Sequence, residues 1–241
     1  MPVKQFAHRG AHDDNSNENT MQSFKAALNN GKIDGVECDV RYSKNRKLVI
    51  AHDANLERTR GIDIEVADTP HYKLPDTPLL EDVLKLFADR SRKTVVIDYK
   101  TEDDDTQDAI TKAEELANDL HCECSIVHLV WSSRYHLPPQ SKHKLYLATE
   151  AALSAGETYA GLRLCKNYDG IGFKFDGTPE NKTHINQALQ ARLEVNLYHM
   201  TDDERMKHTM LQYAQQLDTP YGDKISVTMD MKKATPVLVF S

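Results

Sequence analysis

The sequence predicts an α/β fold: a (β/α)8 TIM barrel with a small insertion after the second strand. Three observations predict it. Eight short apolar runs alternate with segments of helical period. The length, 241 residues, is that of one such barrel. Charged and polar residues gather where the apolar runs end, and in this fold the loops after the strands build the active-site face.

The strands are expected at 3–7 (VKQFA), 35–40 (GVECDV), 94–99 (TVVIDY), 125–130 (SIVHLV), 144–148 (KLYLA), 169–174 (DGIGFK), 193–198 (LEVNLY) and 224–228 (KISVT). Met21, Phe24, Ala27 and Leu28 mark one face of the first helix, and Gly31 is its stop signal. Leu79, Val83, Leu84 and Phe87 mark a second; Ile110, Ala113, Leu116, Ala117 and Leu120 mark a third. "SSRYHLPPQSKHK" after the fourth strand reads as loop. Two places break the alternation. Residues 41–52 form a hairpin that turns at Lys44-Asn45 and returns through Leu48–Ile50. Residues 53–78 are charged and without period, an excursion of the length used for functional loops. Residues 1–241 are expected to be one catalytic domain, with 53–78 as its insertion.

Acids outnumber bases, 37 to 30, which argues against a nucleic-acid partner. No run approaches the ~18 apolar residues of a membrane span, and "MPVKQFAHRG" lacks the apolar run of a signal peptide. Cys38, Cys122, Cys124 and Cys165 have no framework spacing and are expected to be reduced thiols. A cytoplasmic protein with a small-molecule substrate and no stable membrane insertion is expected.

In "VECDV", residues two apart share a face, so Val36, Cys38 and Val40 point one way and Glu37 and Asp39 the other. Two like charges roughly 7 Å apart need something positive between them. The first strand closes on His8 and Arg9, the hairpin returns His52, and the third strand closes on Asp98 and Lys100. The loop after strand one adds Glu18. Three converging carboxylates suit a hard divalent cation, Mg²⁺ or Ca²⁺. They equally suit an ion-pair face meeting Arg9 and Lys100 without metal. Arg9 and Lys100 suit a phosphate. His8 and His52 can divide general base from general acid, or can serve packing alone. Metal, cations and two imidazoles together describe phosphodiester cleavage. The other histidines show no metal spacing and read as surface or structural, with His12 left open by its closeness to His8.

The joint pattern is more specific than its parts. His8-Arg9-Gly10, Glu18-Asn19-Thr20, Phe24, Ala27, Gly31, Asp34, Val36–Val40, Ser43-Lys44, Leu48–Ile50, His52-Asp53, Leu56 and Arg58-Thr59 resemble, in order and spacing, the glycerophosphodiester phosphodiesterase family. The likeness resumes at Leu79–Leu84 and Ile97–Lys100. It implies a TIM barrel and a divalent metal held by Glu37, Asp39 and Asp98. It further implies catalysis by His8 and His52, phosphate binding by Arg9 and Lys100, and support of the metal or the substrate hydroxyls by Glu18. The 53–78 excursion matches an insertion that helps the family accept glycerol. There are departures: Asp98 stands where the family usually has Glu, Tyr198 where Trp is common, and Asn17 where Pro precedes the glutamate. The late Thr-Asp-x-Pro appears only as Thr228 and Asp230 without its proline. The resemblance implies hydrolysis of glycerophosphodiesters to sn-glycerol 3-phosphate and an alcohol. Two alternatives stand beside it: a phospholipase D-like enzyme on lyso- or sphingolipid head groups, and a barrel that binds phosphorylated ligands without turnover.

Overall fold

The computed structural model describes residues 3–12, 18–149, 157–199, 203–221 and 224–231. Asn17, one of the departures named above, lies outside them. The strands are β1 (Lys4–Ala11), β2 (Gly35–Tyr42), β3 (Leu48–Ile50), β4 (Thr94–Tyr99), β5 (Ser125–Val130), β6 (Lys144–Thr149), β7 (Gly170–Lys174), β8 (Glu194–His199) and β9 (Ile225–Met231). All but β3 pair in parallel in the order β1-β2-β4-β5-β6-β7-β8-β9, and β9 pairs with β1, so the eight strands close into a barrel. β3 lies antiparallel to β2, Val40 opposite Ile50, which is the predicted hairpin.

The helices between them are α1 (Met21–Asn29), α2 (Glu57–Arg60), α3 (Leu80–Phe87), α4 (Asp103–Asp119), α5 (Tyr159–Cys165), α6 (Pro179–Gln190) and α7 (Glu204–Tyr221). Each barrel strand turns one face to the helices and one to the barrel axis. Val36, Cys38 and Val40 join the large core under the helices, together with Phe24, Leu84 and Ile97. Phe6, Val96, Val127, Leu129, Tyr146 and Ala148 fill the axis below the site. The insertion carries its own small core of Leu56, Val66 and Leu74 against Val49 and Ala51. That core makes it a seated subdomain rather than a loose loop.

Residues 131–143 form no helix between β5 and β6. Behind β5 lies a buried polar clamp instead. His128 Nε2 and His143 Nδ1 approach the same Glu114 oxygen at 2.8 and 2.7 Å, and the Tyr99 hydroxyl meets His128 Nδ1 at 2.7 Å. These are hydrogen-bond lengths. Ligands of a tetrahedral ion held at about 2.0 Å would stand about 3.3 Å apart. The clamp ties α4 and the entry to β6 onto the barrel where a helix is lacking. The four cysteines are free thiols. Among the described residues no helix is long and apolar enough to cross a membrane.

Candidate active site

β1 is longer than its apolar run predicts. Its pairing with β9 shifts register between Ala7 and Ala11, and Arg9 and Gly10 take positive φ, +53° and +81°. Such an irregularity re-aims side chains at a barrel rim. Here it swings His8 and Arg9 over the mouth. Gly10 is obligatory: a Cβ there would stand 2.4 Å from Ser23 Oγ. The next motif divides its work. Thr20 caps α1 by accepting from Ser23 N, and Asn19 Nδ2 donates to Asp39 Oδ2 at 2.8 Å. Glu18 Oε1 receives both Arg9 NH1 (2.9 Å) and Arg58 NH2 (2.6 Å).

Glu37 and Asp39 point into the axis from β2, and Asp98 lies directly across from Asp39 on β4. The carboxylates of Glu37, Asp39 and Asp98 each offer an oxygen within 4.8 Å of the other two, and all are buried. Two cations border them. Lys100 Nζ is 2.8 Å from Asp98 Oδ2 and 3.7 Å from Asp39 Oδ1. Arg9 Nε is 3.0 Å from Asp39 Oδ2, although its N–H is not aimed at that oxygen, and the Arg9 backbone N–H donates to Glu37 at 3.0 Å.

The acids respond differently to this surrounding. Burial, then Asp39 and Asp98, push the Glu37 carboxyl up to about 8 against the pull of His8 and Arg9. Burial also raises Asp98, although Lys100 opposes it. Burial pushes Asp39 upward too, yet Arg9 and Lys100 outweigh it and hold this acid below the ordinary carboxylate range. Arg9 and Lys100 therefore do not suffice to keep all three carboxylates ionised. A hard cation with oxygen ligands fits that donor set and would supply the missing charge.

The two histidines have matching support. His8 Nδ1 meets Asp230 Oδ1 at 2.5 Å, and His52 Nδ1 meets Asp53 Oδ1 at 2.7 Å. A carboxylate on Nδ1 fixes the tautomer and leaves Nε2 for chemistry. His8 Nε2 is 3.8 Å from Glu37. Burial lowers the His8 pKa, but Glu37 and Asp230 outweigh it and raise the net value. Asp53 is in turn gripped by Arg58 Nε at 2.5 Å, so the insertion holds His52 through one acid and Arg9 through another.

His8, Arg9, Glu37, Asp39, His52, Asp98 and Lys100 all line one cavity of about 230 Å³. Glu18 does not line it; it stands behind Arg9. His12 is also absent from its lining, and its backbone N–H donates to Met231. The rest of the wall is Val96, Leu129, Trp131, Asn196, Tyr198 and Thr228. Sequence reasoning missed Trp131, Asn196 and the role of Asp230 beside His8. The available signal for Trp131 was its place one residue past the end of β5, on the face of Leu129.

Comparison with known proteins points to one family. The model of the "Glycerophosphoryl diester phosphodiesterase family" matches residues 8–126, which contain His8, Arg9, Glu18, Glu37, Asp39, His52, Asp98 and Lys100. Over the stretch that carries these residues, the chain matches the glycerophosphoryl diester phosphodiesterase family. Among curated members, a glycerophosphodiester phosphodiesterase of Bacillus altitudinis is 37% identical over 113 residues, covering 41% of this chain and 45% of that protein. A lysophospholipase D of Rattus norvegicus is 38% identical over 72 residues, covering 30% of this chain and 22% of its own length. The chain thus spans less than half the length of these curated relatives. Solved structures share the whole fold. The Thermotoga maritima glycerophosphodiester phosphodiesterase superposes with TM-score 0.70 at 16% identity over 95% of each chain. A phosphodiesterase of Oleispira antarctica, in complex with the product sn-glycerol-3-phosphate, gives 0.70 at 18% identity over 94% and 93%. The fold is therefore the family's TIM barrel, with the acids, cations and imidazoles at the C-terminal ends of its first strands.

Proposed function

We propose that this chain hydrolyses glycerophosphodiesters to sn-glycerol 3-phosphate and an alcohol, with a divalent cation held by Glu37, Asp39 and Asp98. One observation carries the reading: two carboxylate-supported imidazoles share a single cavity with a three-carboxylate cluster and two cations. Arg9 and Lys100 bind the phosphate oxygens. One imidazole takes the proton of the attacking oxygen as the new P–O bond forms. The other gives a proton to the leaving alcohol oxygen as the old P–O bond breaks. Asp230 and Asp53 stabilise whichever imidazole is cationic at each stage. Glu37, Asp39 and Asp98 would hold Mg²⁺ or Ca²⁺, which would neutralise phosphate charge and acidify the nucleophile. Glu18 keeps Arg9 in place from behind.

A second reading, cleavage of lysophospholipid head groups, is favoured by the apolar part of the wall, Val96, Leu129 and Trp131, the last 46% exposed. The test is turnover of glycerophosphocholine, glycerophosphoethanolamine and a lysophospholipid, each with and without chelator. Chelator-sensitive release of sn-glycerol 3-phosphate from the first two supports the proposal. Turnover of the lysophospholipid alone favours the second reading. No turnover of any of the three leaves the phospholigand-binding barrel.

A further inference from the structure

Trp131 is a large ring that packing does not place: it is nearly half exposed, one residue beyond the end of β5. Leu129, two residues before it, lies opposite Asp98 in the sheet, so the indole stands one layer above that carboxylate on the axis side. Its Nε1–H donates to Asp98 Oδ1 at 2.8 Å. An indole has this one donor and no acceptor. The other oxygen, Asp98 Oδ2, is the one that Lys100 bridges toward Asp39, and Lys100 Nζ lies 5.0 Å from the centre of the indole ring. One oxygen of Asp98 is thus turned to the indole, and the other, with Lys100 beside it, lies on the side of Asp39.

We propose that Trp131 is a positioning residue of the acidic cluster: its N–H holds Asp98 so that the carboxylate offers one oxygen, Oδ2, and not two. This rests on the reading that Glu37, Asp39 and Asp98 bind a divalent cation. The consequence is selectivity. Mg²⁺ takes single oxygens in strict octahedral geometry, whereas Ca²⁺ accepts a carboxylate through both oxygens in a looser shell. Locking Oδ1 onto the indole disfavours the two-oxygen mode and so favours the smaller ion. Losing an outer-sphere hydrogen bond of this kind weakens metal binding about 10–100-fold.

The chain has one tryptophan, so its emission reports this contact alone. The experiment titrates wild type, Trp131→Phe and Glu37→Gln with Mg²⁺ and with Ca²⁺ by calorimetry, and follows wild-type and Glu37→Gln emission in parallel. Three results are expected. Wild-type emission changes saturably with the calorimetric Kd, Glu37→Gln gives neither signal, and Trp131→Phe binds Mg²⁺ about 10–100-fold more weakly. Ca²⁺ suffers less, so the Mg²⁺/Ca²⁺ preference falls. A general loss of structure would weaken both ions together, and equal weakening overturns the proposal. Trp131→Phe with wild-type affinity for both ions overturns it while leaving the cation site standing, as does binding without any change in emission. Wild type that binds neither ion overturns the cation reading itself, and this inference with it.

Discussion

Glu18→Gln isolates one claim, that a buried acid outside the cavity controls Arg9, the arginine proposed to bind phosphate. Glu18 is 2% exposed, and its Oε1 receives Arg9 NH1 at 2.9 Å and Arg58 NH2 at 2.6 Å. Glutamine keeps the shape and removes the charge. The arginines keep their charge, so each contact drops from an ion pair to a hydrogen bond with one charged partner, a loss of about 1 kcal/mol. The Arg58 contact counts for about half of that, because its side chain is 39% exposed and screened by water. The total is about 1.5 kcal/mol, or roughly tenfold in kcat/KM. If Arg9 holds the phosphate before and during the reaction, as proposed, the change falls on KM with kcat nearly constant. The assay is steady-state hydrolysis of glycerophosphocholine by Glu18→Gln, Arg58→Gln and the double variant. Their effects on KM should be non-additive, because Arg58 meets Arg9 through Glu18, whereas Arg58→Gln also loses the Asp53 contact behind His52 and so lowers kcat as well. Glu18→Gln within twofold of wild type, or a loss confined to kcat, would refute the reasoning.

His8→Ala and His52→Ala should each lower kcat by roughly 10²-fold or more, with an unchanged circular dichroism spectrum; normal turnover by either variant removes that imidazole from the mechanism. Gly10→Ala should destabilise the fold by more than about 1 kcal/mol and lower activity, as read from urea midpoints and rates. The new methyl meets Ser23 Oγ and the Ser23 backbone at positive φ, just where Arg9 is seated. Glu114→Ala should cost about 3–5 kcal/mol in urea unfolding, because two buried imidazoles lose their common acceptor. The same clamp sets an acid limit. Burial lowers the His128 pKa, while the imidazole hydrogen bonds hold Glu114 below the ordinary range although burial opposes them. Both groups therefore take up protons more readily unfolded than folded, so stability is full above about pH 6.5 and falls as pH drops. A Glu114→Gln variant with an undiminished acid slope would contradict this.

The barrel was legible because parallel strands buried on both faces leave apolar runs, as in "TVVIDY" and "SIVHLV", and eight such short runs alternate with helical segments. The hairpin and the helix-free stretch after β5 were legible from turn chemistry. The facing of Glu37 and Asp39 followed from the strand period alone. Contacts that depend on barrel closure were not legible. Asp230 meets His8 only because β9 pairs with β1, 222 residues apart in the chain. Glu114 read as one more acid on a charged helix, and its burial depends on two histidines brought in by β5 and the entry to β6. Glu18 was expected to support the metal or the substrate hydroxyls, and the structure shows its oxygen between Arg9 and Arg58. That placement needed the insertion to fold back over the loop after β1. The Asp98 departure raised a question of reach; the register places it level with Asp39, and Trp131 and Lys100 fix its two oxygens.

The central claim is that the acids of β2 and β4 hold a divalent cation without which the two imidazoles cannot cleave the diester. It is tested most directly by following glycerophosphocholine with ³¹P NMR in the presence of exhaustively chelated protein, before and after Mg²⁺ is returned. The account predicts no new phosphorus signal before the addition. After it, the diester resonance should convert to that of sn-glycerol 3-phosphate, with Glu37→Gln inert throughout. Conversion at the full rate by the chelated protein would contradict it.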